Sequence, residues 1–117
     1  MTFICYPKCT TCRKARTWLT TNGFAFDSRH IVEDNPTVDE LRSWLARSGL
    51  PLKKFFNTSG QKYRELGLKD KLPNLSEDEQ LTLLASDGML VKRPILVGEN
   101  FVLVGFRETD WRAALEP

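Results

Sequence analysis

The stretch Thr2-Phe3-Ile4-Cys5-Tyr6-Pro7-Lys8-Cys9-Thr10-Thr11-Cys12-Arg13-Lys14-Ala15 decides how the chain reads. Thr2 to Tyr6 is short, apolar and rich in β-forming residues, the pattern of a buried strand. Pro7 stops it. From Thr10 to Asn22 the apolar positions Ala15, Trp18 and Leu19 fall at helical spacing, and Gly23 supplies the stop. Phe24 to Val32 reads as a second strand. Strand, helix and strand within about 30 residues make a βαβ unit, whose two strands run parallel.

Downstream the pattern changes. Thr37-Val38-Asp39-Glu40 is a capping box, continued as a helix by Leu41, Trp44 and Leu45 and ended by Gly49-Leu50-Pro51. Thr58-Ser59-Gly60-Gln61 is a weaker box, followed by Tyr63 and Leu66 and closed by Gly67. Ser76-Glu77-Asp78-Glu79 is a third, followed by Leu81, Leu83 and Leu84 and closed near Gly88. Three helices without an intervening strand form an insertion from 35 to 88. Strand character returns in Pro94 to Val97 and Phe101 to Phe106, joined by the Gly98-Glu99-Asn100 turn, and Thr109-Asp110 opens a last helix through Leu115. The expected architecture is α/β and thioredoxin-like: βαβ plus ββα on a mixed four-stranded sheet, with an inserted helical subdomain. A single domain, 1–117, is expected, its core formed by 1–34 and 89–117.

Composition sets limits on function. A chain of 117 residues with 41% hydrophobic and 27% charged residues has an ordinary globular profile and can build a core without a disulfide or metal staple. The net charge of +2 lacks the dense basic face of a nucleic-acid binder. No apolar run approaches the roughly 18 residues of a membrane span. The first residues lack a basic n-region and a long apolar run, so no signal peptide and a cytoplasmic location are expected. Three cysteines, an odd number, do not make a secreted disulfide framework and point to a reducing compartment.

Cys9 and Cys12 lie between the first strand and the first helix. Free N–H groups and the positive end of the helix dipole stabilise an anion there, and Lys8, Arg13 and Lys14 add positive charge. These effects lower a thiol pKa, and the thiolate is the attacking form. Cys12 is one helical turn on, within reach as a disulfide partner. The bland alternative is a pair of small buried residues. A zinc site would need four ligands, and Cys5 and His30 are the only others on offer. Cys5 reads as packing and His30 as a structural histidine. Arg93-Pro94 opens the hairpin and Arg107 closes it; with Arg13 they could form a guanidinium cage for an oxyanion.

Tyr6-Pro7-Lys8-Cys9-Thr10-Thr11-Cys12-Arg13-Lys14-Ala15, Phe55-Phe56-Asn57-Thr58-Ser59-Gly60, Tyr63-Arg64-Glu65-Leu66-Gly67, Ser86-Asp87-Gly88-Met89-Leu90 and Lys92-Arg93-Pro94-Ile95 resemble the arsenate reductase (ArsC)-like family, within it the Spx and MgsR branch. The resemblance implies that Cys9 is the nucleophile, that Arg93 and Arg107 bind an oxyanion, and that Asn57 stands where a third arginine is placed. It implies a cis Arg93–Pro94 bond beside the reactive cysteine. It implies no bound cofactor, with glutathione and glutaredoxin, or thioredoxin, as electron donor and partner, and a small oxyanion or thiol as substrate. Cys12, where a hydroxyl residue is common, implies an internal resolving thiol. Two alternatives accompany this reading: a redox regulator binding the RNA polymerase α subunit through a Cys9–Cys12 disulfide switch, and a general glutaredoxin-like thiol reductase. A monomer is expected.

Overall fold

The computed structural model describes residues 1–116. Its sheet has the order β2-β1-β3-β4, with β1 at Thr2–Cys5, β2 at Asp27–His30, β3 at Ile95–Val97 and β4 at Val102–Val104. β1 and β2 are parallel, joined through helix α1 (Thr10–Thr21); β3 runs antiparallel to both β1 and β4. This is the expected mixed thioredoxin-like sheet. Successive strand residues point to opposite faces, and β1 is apolar on both. Ile4 packs among the residues of the insertion, with Ile31, Leu41, Trp44 and Leu84. Phe3 and Cys5 pack on the other face with Cys12, Ala15, Trp18 and Leu19 of α1 and with Trp111 of helix α6 (Glu108–Leu115).

The insertion holds four helices: α2 (Val38–Ser48), α3 (Gln61–Glu65), α4 (Leu68–Lys71) and α5 (Glu77–Ser86). The Thr37/Glu40 and Ser76/Glu79 boxes close reciprocally, as their spacing predicts. Thr58 and Ser59 do not cap α3. Gly60 occupies that position, with its N–H on the Asn57 carbonyl at 3.0 Å, and a Cβ there would lie 2.7 Å from Asn57 Nδ2. Gly67, in the left-handed region at φ +63°, turns the chain directly into α4 rather than ending the segment.

Two other boundaries differ from the sequence reading. β2 is shorter than 24–32, because Phe24 and Phe26 leave the ladder to pack on aromatic partners. Phe24 stacks on Trp18 at 5.7 Å and Phe26 meets Phe3 edge-on at 5.4 Å. α6 begins at Glu108 with Arg107 at its N-cap, one residue ahead of Thr109. At the insertion's return, Gly88 packs on the end of β2: a Cβ there would sit 2.1 Å from the Ile31 carbonyl oxygen. Among the described residues no helix is long and apolar enough to cross a membrane.

Arg29 of β2 ties the sheet to the insertion. Its Nη1 and Nη2 donate to Glu40 Oε2 and Oε1 at 2.6 and 2.8 Å, and its guanidinium lies 5.8 Å from the Trp44 ring. The Arg29 bond, supported by the Thr37 amide, overcomes burial and holds the Glu40 carboxyl at about 2. A depressed carboxylate stabilises the fold above its unfolded pKa and loses that contribution as pH falls through the folded one. Glu40→Gln is therefore expected to cost about 1 kcal/mol at neutral pH, a value reduced by the pair's partial exposure. The gap to the wild type should close between roughly pH 4.5 and 2. Urea unfolding across that range checks this, and a gap independent of pH would refute it.

Candidate functional site

The site is built where β1 gives way to α1. Cys9 is the N-cap residue, extended at φ −83° and ψ 124°. Its N–H donates to the Tyr6 carbonyl at 2.9 Å, and its own carbonyl accepts from Arg13 N–H at 3.1 Å. Cys9 is partly exposed; Cys12, one turn later, is buried among Phe3, Cys5, Ala15 and Leu19. Cys12 Sγ accepts from the Tyr6 amide at 3.4 Å. The three cysteines are free thiols.

The two thiols have opposite electrostatics. Burial alone would raise Cys9. The Cys12 amide, the Arg93 side chain, the Cys12 thiol and the Thr11 amide outweigh it and hold Cys9 below the usual thiol value. Cys12 is pushed up to about 12 by burial, against the Tyr6 amide bond, and further by the charge and hydrogen bonding of Cys9. A lowered thiol at Cys9 beside a raised one at Cys12 is the contrast that the chemistry of a nucleophile and a resolving thiol calls for.

Arg93 stands just before β3, the strand that pairs with β1, on a cis Arg93–Pro94 peptide. Its guanidinium lies 5.1 Å from the Tyr6 ring centre, a cation–π contact that holds it at the sulfur. Its Nη1 is buried without a hydrogen-bond partner. The other face of Arg93 lines a cavity of about 350 Å³ together with Asn57, Lys62, Glu65 and Asp87. Asn57 is held there by its N–H on the Leu90 carbonyl at 2.8 Å.

The remaining predicted residues lie elsewhere. Arg13 donates from Nε to the Pro7 carbonyl at 3.2 Å and so braces the loop. Arg107 is 83% exposed, 3.9 Å from Asp110, and lines a separate groove that starts at Thr11. Cys5 is buried as expected, with Arg16 Nη2 on its sulfur at 3.4 Å, a contact sequence reading missed. His30 is structural: its Nδ1 accepts the Val32 and Glu33 amides at 3.1 Å. Tyr6 was also missed as a site residue. Its amide serves Cys12 and its ring serves Arg93, and its place directly before Pro7 was the available signal.

A family model described as the ArsC family matches residues 5–114. The chain is 58% identical to the uncharacterized protein YusI of Bacillus subtilis (strain 168), over 95% of this chain and 94% of that one. It is 32% identical to the regulatory protein MgsR of the same organism, over 91% and 82%. The crystal structure of a possible arsenate reductase from Streptococcus mutans UA159 superposes with a TM-score of 0.86 at 53% identity, covering 94% of this chain and 95% of that one.

The thiol asymmetry predicts the order of labelling. Iodoacetamide at about pH 6 should modify Cys9 before Cys12 and Cys5, read by peptide mass mapping. Arg93→Ala removes a group that lowers the Cys9 pKa, so its alkylation should slow at pH 6 and recover at high pH. A variant with an unshifted pH profile would show that Arg93 does not act on the sulfur.

Proposed function

The chain belongs to the ArsC family, and from that premise we propose that it is a thiol oxidoreductase of the arsenate reductase type, with Cys9 as nucleophile and Cys12 as resolving thiol. The observation that carries this reading is the opposed setting of the two sulfurs, one at a helix N-cap facing Arg93, the other buried one turn below.

With arsenate, Cys9 thiolate attacks arsenic, a hydroxide leaves as water, and a sulfur–arsenic bond forms. Arg93 and the loop amides bind the oxygens. Cys12 then attacks Cys9 sulfur. The electron pair of the sulfur–arsenic bond passes to arsenic, As(V) becomes As(III), and arsenite leaves a Cys9–Cys12 disulfide. Loss of the Cys9 charge in the adduct removes part of what raises Cys12, while burial, the larger cause, remains. Glutaredoxin with glutathione, or a thioredoxin dithiol, restores the reduced pair. A disulfide substrate follows the same two attacks with sulfur in place of arsenic.

A second reading, a redox switch acting on the RNA polymerase α subunit, is favoured by the regulator MgsR among the relatives. The two separate in one set of assays. Arsenate-dependent thiol oxidation, with glutaredoxin and thioredoxin supplied separately, should proceed in the wild type, and Cys9→Ser should abolish it. Cys12→Ser should stop thioredoxin-linked turnover while single adduct formation persists. Absence of turnover with arsenate and with disulfides, together with polymerase α subunit captured only by the oxidised chain, would replace the enzyme reading with the regulator one. Asn57→Arg should tighten arsenate about fivefold if Asn57 faces the oxyanion, since a charged donor contributes roughly 1 kcal/mol more than a neutral one.

A further inference from the structure

We propose that the groove starting at Thr11 selects carboxylate-bearing, low-molecular-weight disulfides, with Lys54 and Lys92 as its specificity residues. This rests on the thiol oxidoreductase reading and names its substrate class. The groove has a volume of about 630 Å³, within the range of small-molecule sites. Thr11, which lies between the two cysteines in the chain, lines the groove together with Phe106 and with Lys54 of the 3-10 turn at Leu52–Phe55.

Backbone pairing brings its cations together. Lys92 N–H donates to the Phe55 carbonyl at 2.7 Å, beside a bridge between Phe56 and Val91. The Lys92 stem passes Gly105, where a Cβ would stand 3.5 Å from Lys92 Cε, and the Gly105 φ of +74° suits glycine. Among the described residues neither Lys54 nor Lys92 has a carboxylate within 4.0 Å, and Arg107 has only Asp110 at 3.9 Å. Three cations face one carboxylate, and a groove with such an excess concentrates anions. The cavity beside Arg93 is different: Arg93 and Lys62 there are balanced by Glu65 and Asp87. The excess of positive charge therefore lies in the groove. Its apolar floor and small volume suit a compact organic acid rather than a bare ion or a protein surface.

In the reaction, Cys9 thiolate attacks one sulfur of the bound disulfide, and the other half leaves as a thiolate that takes a proton from solvent. Cys12 then displaces the bound half from Cys9, its proton passing to the departing thiolate, and leaves the Cys9–Cys12 disulfide. The substrate is reduced by the electron pair that the two cysteines lose.

Single-turnover reaction of the reduced protein with dithiodipropionate (dianionic), hydroxyethyl disulfide (neutral) and cystamine (dicationic) tests this. The rate ratio of dithiodipropionate to hydroxyethyl disulfide should fall about fivefold in Lys54→Glu/Lys92→Glu at low salt. The cystamine ratio should rise, and both effects should shrink at high salt. Lys54→Gln/Lys92→Gln should give a smaller change of the same sign. Unmoved ratios, or equal change with all three probes, would overturn the groove's role. If mass mapping finds Cys9 unmodified by every probe, the thiol oxidoreductase reading fails, and the substrate class with it.

Discussion

β2 holds one edge of β1 and β3 holds the other, while α1 covers one face and the insertion covers the other. The end of β1 is thus fixed on four sides, and the loop carrying Cys9 starts there. Tyr6 carries that rigidity onward: its amide is on Cys12, its carbonyl on the Cys9 amide, its ring on Arg93. A reactive thiolate needs donors that stay aimed as charge develops. Here the aim comes from the sheet, since Arg93 immediately precedes cis-Pro94 and β3.

The same geometry separates the two sulfurs. Cys9 is the extended residue that precedes the helix, beside its free amides, while Cys12 lies within the first turn on the core-facing side. Cys9 takes the first setting and Cys12 the second. The position of the helix start relative to the core gives Cys9 free amides and Cys12 burial, and the Arg93 side chain adds to the lowering at Cys9. Shifting the start by one residue would turn both sulfurs away from these environments.

Much of this was legible in the sequence. Pro7 and the periodicity of Ala15, Trp18 and Leu19 mark the strand-to-helix switch, and the switch fixes Cys9 at the N-cap. The Thr37 and Ser76 boxes were legible because a capping box is wholly local. The short β2 was not, because Phe24 and Phe26 were recruited by Trp18 and Phe3, partners whose nearness only the tertiary fold decides. Gly60 at the α3 cap depended on a close approach to Asn57. The groove was hidden for the same reason: Lys54 and Lys92 are far apart in the chain and meet through the backbone pairing of Phe55 with Lys92.

Arg93 has two obligations that bear on what the site can bind. It is a polar neighbour of the Cys9 sulfur and is stacked on Tyr6, so a guanidinium drawn wholly onto an oxyanion would withdraw support from a Cys9 thiolate. A second cation at the same point would relieve that conflict. Asn57, which shares the cavity, supplies an amide instead, and Arg107 lines the groove on the other side of the loop. Charge near Cys9 is thus placed to favour a thiolate, while the cations of the groove are Lys54, Lys92 and Arg107. That division suits an electrophile whose reacting atom is not itself the centre of negative charge. The sulfur of a carboxylate-bearing disulfide meets that condition more fully than the arsenic of arsenate, whose oxygens would have to share Arg93 with the nucleophile.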